Sequence, residues 1–174
     1  MDKEIVEELE DLLSKRWRTK DEMMGFFSGR PKYLHQLIYI TLSENDPQNW
    51  RSAWIQGHFI KELKSHLEDF LPQLVDSIPG KRDGHQREII RLLKPFDLNE
   101  ELEGKTFDYC TQIWEDVSKS PSSRFVAMDF ILTVCEKYPE IKPEVEALLD
   151  ERFVETLSPG VKKSLENRAR KIYK

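Results

Sequence analysis

Residues 45–59 read NDPQNWRSAWIQGHF, and the way this stretch recurs decides the fold. Asp46-Pro47 is a helix start. A short acidic side chain accepts from the first backbone N–H groups, and proline follows at the first helical position, where its missing N–H costs nothing. Behind it Trp50, Ala53, Trp54, Gly57 and Ile60 recur at spacings of three and four, which is one helical face. RSAWIQG from Arg51 returns as REIIRLL from Arg87 and as RFVAMDF from Arg124, 36 and then 37 residues on. Each copy is an arginine, then apolar residues two and three places later, then a small or apolar residue at the sixth place.

The segments between keep the same step. Leu71-Pro72 opens PQLVDSI and Lys142-Pro143 opens PEVEALL, 71 residues or two periods apart, and FDYCTQIWEDV (107–117) fills the middle place without a proline. A period in the thirties built from helix pairs is the signature of an α-solenoid. The spacing predicts a helix from Gly84 that Pro95 stops, and another that opens at the serines and Pro121 and ends near Tyr138. A last helix is capped by Ser158, with Pro159 in its first turn. The N-terminal quarter is less regular. Residues 2–16 form an acidic amphipathic helix with Ile5, Val6, Leu9, Leu12 and Leu13 inward. Gly25 and Gly29 then break the pattern around Met23, Met24, Phe26 and Phe27, a cluster that either fills core or binds a partner. YLHQLIYITLSEN is β-prone at Ile38 to Thr41, yet reads as helix because no second strand is there to pair with it.

Composition bounds what such a chain can do. Of 174 residues, 39% are apolar and 34% charged, against about 25% charged in an average soluble domain. No uncharged run approaches the roughly 20 residues of a membrane span. The N-terminus is acidic where a signal peptide would be basic and then apolar, so a cytoplasmic protein is expected. A net charge of −5 makes the whole a poor partner for nucleic acid, although a local basic strip stays open. Cys110 and Cys135 match no CxxC pattern and are expected as buried thiols. His35, His58, His66 and His85 form no HxxxH or HExxH, so no metal and no cofactor is expected. SIPGKRDGHQ lacks the frame of a phosphate loop and reads as a turn between repeats. Nucleophile elbows need strand-to-helix turns, which this pattern does not supply.

NWRSAWIQGHF, HQREIIRLLKPF, SSRFVAMDFILTVCEKYPEI and LSPGVKKSLENRARKIYK together resemble the HEAT/armadillo-type repeat proteins, in particular their small bacterial members. The resemblance covers residues 45–174. It implies an all-α fold, a right-handed α–α superhelix of about four helix pairs with one concave surface that holds other macromolecules. Residues 1–174 are then a single solenoid domain, with 1–44 as atypical cap helices. The function expected is a non-enzymatic scaffold or adaptor for a protein partner, an acidic one if the arginines form a strip. Arg51, Arg87 and Arg124 are the candidate contacts, with Trp54 and His58 beside them. Each arginine also has an internal reading, as the partner of an acidic residue or helix C-terminus in the next unit. Trp50 and Trp54, one turn apart, read first as packing between helix pairs and second as a base-stacking pair. An alternative class is the alkylpurine DNA glycosylases, which also use HEAT-like helices; Trp50, Trp54 and Asp46 have suitable chemistry, while the acidic balance argues against it.

Overall fold

A computed structural model describes residues 1–14, 19–44 and 49–173. Asp46, Pro47 and the last two residues of the predicted first helix lie outside them. Every regular element among the described residues is helical. The chain divides into two compact units, Met1–Asp97 and Leu98–Lys174.

The first unit carries α1 (Lys3–Ser14), α2 (Lys20–Phe27), α3 (Pro31–Leu42), α4 (Trp50–His58), α5 (Ile60–Glu68), α6 (Leu71–Ser77) and α7 (Asp83–Leu93). Local chemistry sets several of the ends. Thr19 caps α2 by accepting from the Glu22 N–H at 3.1 Å, with glutamate at the third helical position as in a capping box. Gly25 does not break α2. Gly29, at φ +72°, makes the turn that follows, a left-handed conformation that costs glycine little. Pro31 then opens α3, so the β-prone stretch is helix. Leu9 and Leu13 of α1 are buried, and α3 packs on α1 and α4 while α4 packs on α7. Lys81 closes the C-terminus of α3, donating to the carbonyls of Leu42 at 2.9 Å and Ser43 at 2.6 Å.

The inner face of α4 differs from the one its apolar spacing suggests. Ser52, Ala53, Ile55 and Gln56 are buried, whereas Trp50 and Trp54 are half-buried and Gly57 is exposed. Ser52 and Gln56 enter the core because Thr41 of α3 meets them there. Gln56 Nε2 donates to Thr41 Oγ1 at 2.6 Å, Thr41 Oγ1 lies 2.7 Å from Ser52 Oγ, and Ser52 Oγ donates to the Asn49 carbonyl at 2.6 Å. Each hydroxyl in the chain gives one proton and takes one, so its burial is compensated. The packing face is therefore rotated, and the tryptophan row stands at its flank.

The second unit holds α8 (Glu100–Glu115), α9 (Pro121–Lys137), a 3-10 turn (Pro139–Ile141), α10 (Lys142–Ala147), α11 (Glu151–Val154) and α12 (Pro159–Ala169). Asn99 caps α8 and Ser120 caps α9, each through its side-chain oxygen. α9 starts at Pro121 and gives way at Tyr138, before Pro139, as its sequence predicts. Its buried residues cover most of its circumference, it packs on α8, α10 and α12, and Asp129, Thr133 and Glu136 form a narrow polar strip. Arg168 fastens α12 to α9, donating to Asp129 at 2.8 Å and to Glu136 at 2.6 and 2.8 Å. Trp114 is fully buried and donates Nε1–H to the Leu148 carbonyl at 2.7 Å.

Candidate functional site

The structure places the three repeat arginines in three different situations. Arg51, half-buried, donates from Nη1 to the Leu13 carbonyl in the last turn of α1, with its guanidinium 5.7 Å from the centre of the Trp50 ring. Arg87 donates from Nε to Glu88 Oε1 at 2.8 Å. Arg124 is only 1% exposed. It donates to the carbonyls of Trp114 at 2.8 Å and Phe153 at 2.6 Å and to Thr156 Oγ1 at 2.7 Å, and lies 4.8 Å from the centre of the Trp114 ring. Burial lowers its pKa, partly offset by the charge of Asp116. Arg124 as a binding residue is thus corrected: its fork is consumed inside the second unit, where the carbonyls at the ends of α8 and α11 attract a cation.

Trp54, half-buried, and His58, exposed, lie side by side. Their rings lie 4.2 Å apart, and His58 Nδ1 donates to the Trp54 carbonyl at 2.8 Å. The ammonium of Lys20 stands 5.4 Å from the centre of the Trp54 ring, a cation–π distance. Beside them a cleft of about 210 Å³ runs between α4 and α7, lined by Trp54, Gly57 and His58 on one side and Glu88, Arg91 and Leu92 on the other. A Cβ at Gly57 would meet nothing within 4 Å. The Glu88 side chain is 4% exposed and is held by Arg87 at 2.8 Å and by Arg91 at 3.1 Å, pairing that makes a buried carboxylate tolerable. Arg91 itself is half exposed.

Arg91 and Glu88 are the members of this site that repeat matching passes over. Arg91 follows Arg87 by one helical turn, so its presence on the same side of α7 is legible in REIIRLL. The burial of Glu88 is not, because a glutamate beside an arginine usually belongs to a solvated face.

The histidines separate. His66 stacks on His35, centres 4.3 Å apart and planes 16° apart, with Nε2 3.0 Å from the His35 carbonyl; burial, then the neighbouring His66, lowers the pKa of His35. His85 is buried in the first turn of α7, with its pKa pushed down to about 4 by burial, then by the charge of Lys81, against a hydrogen bond with the Thr41 backbone. Among the described residues no group of three or more His, Cys, Asp or Glu side chains is placed to hold a metal ion, and no helix is long and apolar enough to cross a membrane. Cys110 and Cys135 are both free and buried.

Helices packed at a period in the thirties, with no strand among the described residues, define an all-α helical repeat protein. The chain belongs to the HEAT repeat family, because the profile of the HEAT repeat domain matches residues 7–172, nearly the whole sequence. HEAT repeats serve in general as scaffolds for protein interaction. No curated protein and no solved structure matches the chain.

Proposed function

We propose that this protein is a non-enzymatic scaffold that holds a protein partner of acidic character, working as one module over residues 1–174. The α4–α7 face of the first unit is the contact surface. The observation that carries the reading is Trp54: a large indole off the packing face, with the ammonium of Lys20 near its ring and beside an open cleft that Arg91 also lines. Tryptophan and arginine are among the residue types enriched in interface hot spots. His58 and Arg91 line the same cleft, Arg51 stands one turn before Trp54, and Arg87 acts behind Arg91 through their shared hold on Glu88.

The test compares what wild type and a Trp54→Ala/Arg91→Glu variant retain from a lysate, with circular dichroism verifying the fold. A protein held by wild type and lost by the folded variant supports the reading; identical retention removes it. Duplex DNA, titrated at about 50 and about 200 mM salt, checks the alternative class. Tight binding that falls steeply with salt would replace the scaffold reading by a DNA-acting one. Asp46, the candidate carboxylate for such an enzyme, lies outside the described residues.

A further inference from the structure

A second concavity lies in the second unit, between the first half of α8, the last turn of α9, the 3-10 turn and α10. Its volume is about 550 Å³, within the roughly 300–1,000 Å³ typical of ligand clefts. Phe107, Val134, Tyr138 and Ile141 give it an apolar lining. Gly104 stands where α8 meets the groove, and a Cβ there would meet nothing within 4 Å, so the glycine leaves the groove open. Glu100, Glu103, Asp108, Glu140 and Glu144 surround this lining. Lys137 pairs with Glu103 at 3.1 Å. Among the described residues no cation pairs with the other four, all of them exposed.

Capping accounts for part of this charge, since Glu100, Glu103 and Glu144 lie in first turns. A helix N-terminus offers only about half a positive charge, however, and the C-terminus of α9 returns a similar negative one. The groove keeps a net of about three to four negative charges around an apolar surface. Nucleic acid and anionic lipid are repelled by that potential, and a small metal ion leaves the apolar lining unused. The occupant that uses both carries apolar side chains on one face and cations on its flanks.

We propose that this groove binds an amphipathic helical segment of another protein, with apolar residues at i, i+3 and i+4 entering among Phe107, Val134, Tyr138 and Ile141 and with lysines or arginines meeting the carboxylates. A helix satisfies its own backbone and presents both chemistries to one surface. The charges speed encounter and set orientation, so affinity falls as salt screens them. This site is separate from the α4–α7 face of the first unit, and either can fail alone.

The probe is a short fluorescein-labelled peptide of leucine and lysine at the helical period, with a leucine–glutamate peptide of the same pattern as its counterpart. Titration of the full chain, read by anisotropy, is expected to show binding of the basic peptide, weakening from about 50 to about 300 mM salt, and none of the acidic one. Gly104→Arg, which fills the groove with bulk and a cation, and the double variant Glu140→Lys/Glu144→Lys are each expected to weaken binding by about tenfold or more, a loss of about 1.4 kcal/mol, with the circular dichroism spectrum unchanged. Glu155→Lys, a charge reversal of the same kind outside the groove and larger in charge than Gly104→Arg, is expected to leave affinity nearly as it was. Binding indifferent to Gly104→Arg, or a loss as large with Glu155→Lys, overturns the proposal by showing mere attraction to an acidic protein. So does light scattering that reveals a dimer dissolved by the groove variants, since the occupant is then a second copy of this chain.

Discussion

Arg124 and His85 show how little a side chain's type says about its task. Arg124 matches Arg51 and Arg87 in sequence, yet its donors meet three oxygens inside the second unit. Arg124→Met keeps much of the bulk and strands those acceptors, so urea unfolding is expected to show a loss of about 3 kcal/mol or more. A change under about 1 kcal/mol would mean the acceptors find water. His85 sits neutral in the core of the first unit, its pKa pushed down to about 4, whereas in the unfolded chain it titrates near 6.5. Below about pH 6.5 the unfolded state takes up a proton that the folded state refuses, so stability falls with pH until about pH 4. The full displacement is worth about 3 kcal/mol. His85→Gln cannot take up that proton; its stability is expected to vary less over this range in urea titrations at stepped pH. An equal slope in both proteins would assign the acid sensitivity to other groups.

At the scale of elements, helix boundaries were largely written in local chemistry. Ser120-Pro121, Pro139, Ser158-Pro159 and Lys142-Pro143 mark starts and stops that the structure realises within a residue or two. Caps and prolines act over one turn, so no tertiary context is needed to read them. The rotation of α4 was not legible. Apolar periodicity points to Trp50 and Trp54, while Ser52 and Gln56 are buried because α3, eleven to fifteen residues earlier, supplies Thr41. The start of α6 was legible, because Leu71-Pro72 sets it as the sequence predicts. Two glycines separate local from conformational roles. Gly25 lies inside α2 with space around it, and Gly25→Ala is expected to raise stability by about 0.5–1 kcal/mol. Gly29→Ala forces a side chain into φ +72° and is expected to cost about 1–2 kcal/mol. Paired thermal melts check both, and equal shifts would contradict the assignment of the turn to Gly29.

For the whole molecule, a helical repeat protein buries each helix against its neighbours. In the second unit α12 does this for α9, with Leu165 and Ile172 buried and Arg168 holding the edge. A chain stopped after Ser158 is expected to melt several degrees lower and to bind a hydrophobic dye; an unchanged melt without dye binding would show α12 to be dispensable. The sequence by itself determined the helical class, the repeat period and most helix ends, because period and capping depend on residues three to four apart or one turn long. Only the tertiary structure decided which side of α4 faces inward, that Arg124 is internal while Arg91 stands at a cleft, and that five carboxylates of the second unit share an apolar groove. Those outcomes depend on which oxygen, ring or charge a distant helix brings within a few ångströms, and no local pattern records that distance.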